Sequence, residues 1–120
     1  MNKALQFHKE GYNCAESMIK AVNEEKELNV PVSIASPFGT GMSVGDTCGA
    51  ITGALMVLGA IKGRESSEEK NFSISITREI MKEIKEEYGT FQCKELKKNG
   101  VSCKEIIGYT YEALQKYINK

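Results

Sequence analysis

The sequence predicts an all-α fold: a compact bundle of five to six helices around a buried central helix at about residues 48–62. Three observations carry that expectation. Apolar residues recur at i, i+3, i+4 and i+7 in several segments, as on one buried helix face. Capping residues stand just before those segments. No pair of alternating runs offers a sheet. At 120 residues the chain is read as a single domain, 1–120, with room for one core.

The first helix is expected over about Lys3–Glu10, ended by Gly11. Asn13 then reads as an N-cap, with Glu16 completing a capping box. The helix from Cys14 to about Glu25 would bury Ala15, Met18, Ile19 and Val22. Pro31, Pro37, Gly39, Gly41 and Gly45 mark residues 29–47 as loop, with one helical turn near Ser33–Ser36. Glycine loops before helices can cradle phosphates. Here the spacing is G-x-G-x-x-x-G, no strand precedes it and no Walker lysine follows, so close backbone packing beside Cys48 is the better use.

Thr47 or Asp46 caps the next helix, in "GDTCGAITGALMVLGAIKG". Ile51, Leu55 and Leu58 form one stripe and Gly49, Ala50, Gly53 and Ala54 a small-residue stripe. A helix apolar all round belongs at the centre of its domain. Glycine inside a helix costs about 1 kcal/mol relative to alanine, so Gly49, Gly53 and Gly59 call for a steric reason. "NFSISIT" alternates like a strand but runs straight into a helical period through Ile80, Ile84 and Tyr88. One helix is therefore expected from about Ser67 to Tyr88, closed by Gly89. A short helix follows Thr90 and stops at Asn99-Gly100. Ser102 then caps the last helix, which turns Ile107, Tyr111, Leu114 and Ile118 inward.

Sixteen basic and sixteen acidic residues cancel. With no basic run, neither nucleic acid nor an anionic membrane is an expected partner. The N-terminus lacks the apolar segment of a signal peptide, and the Cys48–Ile61 run is too short and glycine-broken to span a bilayer. A cytoplasmic location is expected. In a reducing compartment four cysteines are poor staples, which leaves metal binding, redox chemistry or plain burial.

Their placement separates these options. Cys14 follows Asn13, Cys48 follows Thr47, Cys103 follows Ser102, and Cys93 lies in the first turn after Thr90. All four are expected at helix N-termini, where unpaired N–H groups and the positive dipole end favour a thiolate. No C-x-x-C spacing is present, so any shared site must be assembled by the fold. Cys93 and Cys103, separated by a short turn, are candidates for a dithiol pair. His8, the single histidine, reads as a surface or half-buried residue.

With these positions in hand, the chain resembles the C_GCAxxG_C_C family. "GYNCAESMI", "GDTCGAITGALMVLG", "GTFQCKEL" and "GVSCKEI" match its blocks, with Cys48, Gly49, Ala50 and Gly53 in the signature core. The resemblance implies a small helical protein of anaerobes, described as redox-active from its cysteines. It also implies a link to selenocysteine-containing members and to iron–sulfur or non-haem iron proteins.

Three functions follow. The leading one is a thiol–disulfide or electron-transfer protein using Cys14, Cys48, Cys93 and Cys103. In it Cys48 attacks, Cys93 or Cys103 resolves, and a redox partner protein or small thiol or disulfide is the substrate. The alternative is an iron–sulfur cluster or other metal ion held by the same four cysteines, with Gly49 and Gly53 on the cofactor-binding wall. The third is a non-enzymatic helical interaction module, a homodimer through the small-residue stripe or the Ser67–Tyr88 helix. Whether the protein is an enzyme is left open.

Overall fold

The computed structural model describes residues 2–119. Six α-helices form it: α1 Lys3–Lys9, α2 Cys14–Lys26, α3 Gly49–Lys62, α4 Ser73–Tyr88, α5 Cys93–Lys98 and α6 Cys103–Ile118. A 3₁₀ segment, Val32–Phe38, fills most of the expected loop, longer than the single turn read from sequence. Among the described residues there is no strand, only an isolated antiparallel bridge between Thr47 and Gln92. The all-α expectation holds.

The largest interface joins α2 to α3, and α6 packs across α3. Met18, Ile19 and Val22 of α2 meet Ile51, Val57 and Leu58 of α3, with Ile80 and Ile84 of α4 and Ile107 and Leu114 of α6 closing the core. Burying side chains of this size removes about 1.5–3 kcal/mol of unfavourable hydration each, relative to exposure. The first turns of α3 are central as expected, but Gly59 and Ala60 emerge into solvent, so the helix is not buried throughout.

Polar contacts fasten the rim. Glu25 of α2 accepts from Tyr111 and Gln115 of α6, and Glu83 of α4 accepts from Lys116 and Tyr117. Tyr88 and Tyr109 stack edge to face at 5.2 Å.

The expected helix from Ser67 begins only at Ser73. Side chains upstream satisfy the backbone locally and compete with helix formation. The Glu69 carboxylate accepts from the N–H groups of Glu65 and Ser66, and the Arg64 guanidinium donates to the carbonyls of Ser67 and Glu69. Asn71 then accepts from the backbone and hydroxyl of Ser73. Phe72 and Ile74 are exposed, so the alternation in "NFSISIT" does not mark a buried strand face.

Candidate functional site

The N-termini of α2, α3, α5 and α6 meet on one side of the bundle, each fixed by a local device. At α2 the Asn13 side chain accepts from Glu16 N–H at 2.8 Å, and Glu16 returns the bond to Asn13 N–H at 2.9 Å. Asn13 also donates to the Ser36 carbonyl, and Gly39 presses so close that a Cβ there would lie 2.6 Å from its amide. At α6 the Ser102 hydroxyl accepts from Glu105 N–H at 3.1 Å.

The starts of α3 and α5 are tied together. Cys48 N–H donates to the Phe91 carbonyl at 2.8 Å and Cys93 N–H to the Asp46 carbonyl at 2.7 Å. This bridge draws Thr47 out of the capping position expected for it, and Cys48 itself is the N-cap of α3. Cys14, Cys93 and Cys103 are each the first residue of their helices.

A left-handed turn lies beside these helix starts. Thr40, Gly41, Met42 and Ser43 have φ of 53°, 62°, 58° and 64°, and Asp46 N–H closes the turn onto the Gly41 carbonyl at 2.8 Å. Gly41 is required there twice over. Its φ is positive, and a Cβ would sit 2.4 Å from the Asp46 carbonyl and 2.7 Å from Cys93 Cβ. The glycines of this loop thus serve backbone packing, as read from sequence.

All four cysteines line one cavity of about 80 Å³. That is room for several water molecules. His8, Thr40 and Lys97 bring polar groups to its wall. His8 is half-buried, its Nδ1–H donating to the Tyr12 carbonyl at 3.0 Å, which leaves Nε2 as an acceptor. Thr40 and Lys97 were not singled out in the sequence. Thr40 had a signal in its place beside Gly41, whereas Lys97 looked like surface charge. Cys14, Cys48 and Cys93 are 5%, 3% and 7% exposed; Cys103 is only half-buried.

The electrostatics centre on Cys14 and Cys48, whose sulfurs are hydrogen-bonded. The Cys48 thiol, donating to Cys14, is the main reason that the Cys14 pKa falls from 9.0 to about 6, against the opposing effect of burial. The backbone N–H groups of Thr40 and Ala15 add to the effect. Cys48 moves the other way: its bond to Cys14, then burial, push it far up, although the N–H groups of Ala50 and Ile51 pull down. The pair therefore holds one proton on Cys48 and the charge on Cys14, which is the less buried and accepts from the Cys48 thiol as well as from the backbone. Cys103 is raised, chiefly by burial and further by the charges of Cys14 and Cys93, against the attraction of Lys97.

The glycines of α3 follow from this contact. A Cβ on Gly49 would lie 2.4 Å from Cys14 Sγ, and one on Gly53 2.7 Å from the Ala15 carbonyl. Both face α2, where their lack of a side chain permits the close helix–helix approach, and the residues lining the cavity do not include them. Gly59 has nothing within 4 Å of a Cβ and needs no steric reason of its own.

A metal or cluster was tested against the same residues. Among the described residues no three His, Cys, Asp or Glu side chains are grouped so as to hold a metal ion. Cys14, Cys48, Cys93 and Cys103 share one cavity without making such a group. Also among the described residues, no helix is long and apolar enough to cross a membrane.

No curated protein and no solved structure matches the chain. A family does: the sequence model described as "Putative redox-active protein (C_GCAxxG_C_C)" matches residues 12–117, nearly the whole length and all four cysteines. With the four cysteines of the matched region at the helix starts that surround the cavity, the chain belongs to the C_GCAxxG_C_C family.

Proposed function

We propose that the protein carries electron pairs as a thiol–disulfide couple formed by Cys14 and Cys48. One observation carries this reading: the two sulfurs are hydrogen-bonded, with the negative charge settled on Cys14. A thiolate held against a thiol is half-way to a disulfide in its protonation. Oxidation joins the two sulfurs and releases two electrons but only one proton, that of Cys48. An external disulfide or a redox partner protein takes the electron pair. The charge geometry favours Cys14 as the nucleophile, in place of Cys48, and Cys48 as its resolving partner. Once Cys14 is bonded to another sulfur, the charge that holds the Cys48 proton is gone. Ala50 and Ile51 N–H groups are then in place to stabilise the Cys48 thiolate as it attacks.

Proton stoichiometry is the test. Equilibration with dithiothreitol at fixed ratios, without oxygen, followed by mass-spectrometric mapping, is expected to find a Cys14–Cys48 link that Cys14→Ser abolishes. Between pH 6 and pH 9, the interval set by the Cys14 shift, the midpoint potential is expected to fall by about 30 mV per pH unit, the value for one proton per two electrons; two protons would give about 59 mV. If both residues remain thiols at every ratio, this function is wrong.

A further inference from the structure

Three of the four sulfurs are nearly sealed from solvent, and the fourth is not. Cys14, Cys48 and Cys93 are 7% exposed or less, while Cys103 is half-buried at the edge of the same cavity, near Lys97. Thiol exchange needs collinear access to the sulfur attacked. Of the four, Cys103 offers a tripeptide thiol or a protein cysteine the least obstructed line, with Cys14 and Cys48 more deeply buried along the same cavity of about 80 Å³.

We propose that Cys103 is the outlet of the site, the residue through which external thiols exchange with the buried Cys14–Cys48 couple, with Cys93 resolving the disulfide that Cys103 forms with Cys14. This rests on the Cys14–Cys48 reading above. Starting from the Cys14–Cys48 disulfide, Cys103 as thiolate attacks Cys14 Sγ. The bond to Cys48 breaks, and Cys48 leaves and takes up the proton that Cys103 lost. Cys93 then attacks Cys103 Sγ, its proton passing to solvent, and Cys14 leaves as the thiolate that it was at the start. The oxidation now sits in a Cys93–Cys103 disulfide. One external thiol attacks Cys103 and frees Cys93; a second removes the first as a disulfide, and Cys103 is a thiol again. No other oxidant or reductant is involved.

The charge pattern gives the relay a direction. In the reduced site the charge of Cys14 adds to burial in keeping the Cys103 proton on. Oxidation of Cys14 removes its share, and the attraction of Lys97 is left with less to oppose it. Cys103 thus becomes a better nucleophile when the buried couple needs to be reduced.

The experiment oxidises wild type, Cys103→Ser and Cys103→Ala to the Cys14–Cys48 disulfide and follows its reduction by glutathione, with adducts mapped by mass spectrometry. Wild type is expected to carry the transient adduct on Cys103. Both variants are expected to lose the adduct and to be reduced at least about tenfold more slowly, because access to the attacked sulfur sets the rate. Helical circular dichroism of the variants checks that they fold. Reduction of the variants at the wild-type rate, or an adduct on Cys14 or Cys48, overturns the outlet while leaving the buried couple intact. Absence of a Cys14–Cys48 disulfide in every protein overturns the couple and the outlet together.

Discussion

The sulfur of Cys14 accepts from the Cys48 thiol and from the N–H groups of Thr40 and Ala15, and these bonds outweigh the burial that would otherwise keep its proton on. Alkylation of Cys14 by iodoacetamide should therefore follow a titration near pH 6. In Cys48→Ala, which removes the strongest donor, the midpoint should climb toward the ordinary 9.0, with slower labelling at neutral pH. An unchanged midpoint would mean that Cys48 has no part in the shift. Sequence reading reached the setting of this residue but not its partner. Asn13 and Glu16 mark a helix start from adjacent positions, so the electropositive environment of Cys14 is legible. The contact with Cys48 is made by packing two helices, and nothing near either cysteine in the chain encodes it. Read locally, the attacking role falls on Cys48, the residue with the more unusual surroundings in the chain.

At the scale of helices, the close passage of α2 over α3 depends on positions without a side chain. Gly49→Ala puts a methyl group 2.4 Å from Cys14 Sγ and 2.8 Å from the Phe38 carbonyl. Overpacking of this kind should destabilise the fold by about 1–3 kcal/mol. Gly59→Ala, with open space around it, should instead stabilise by up to about 1 kcal/mol through helix propensity. Urea midpoints of the two variants moving in opposite directions would check the assignment. The capped helices were legible because their signals are local: Asn13 with Glu16, Ser102, Gly89. The start of α4 was not, since Glu69 and Asn71 divert the backbone into turns that periodicity does not register. The left-handed turn was hidden for a different reason. Thr40, Met42 and Ser43 adopt a conformation that costs an ordinary residue about 1–2 kcal/mol. Contacts made elsewhere in the chain hold them there, among them Asp46 N–H on the Gly41 carbonyl and the Ser43 hydroxyl on the Pro37 carbonyl.

Across the whole molecule, the thiols couple stability to pH. Folded Cys14 ionises near pH 6 and the unfolded residue near 9.0, so between these values the unfolded chain binds more protons and stability rises with pH. Cys48 and Cys103 are shifted upward, so above about pH 9.0 the unfolded chain sheds protons that the folded one keeps, and stability declines. Urea unfolding under reductant should show the rise in wild type and its loss in Cys14→Ser. The all-α class and the gathering of cysteine-bearing helix starts were readable from patterning and capping; the shared cavity depends on how the bundle closes. The spread of the four cysteines over four helix starts has a consequence for biosynthesis. Each sulfur arrives on a separate coil, so a ribosome-bound chain carries thiols with no preformed mates, and four cysteines admit three pairings. Air oxidation before the last coil docks would scramble them, and a productive yield depends on keeping newly made chains reduced until docking is complete.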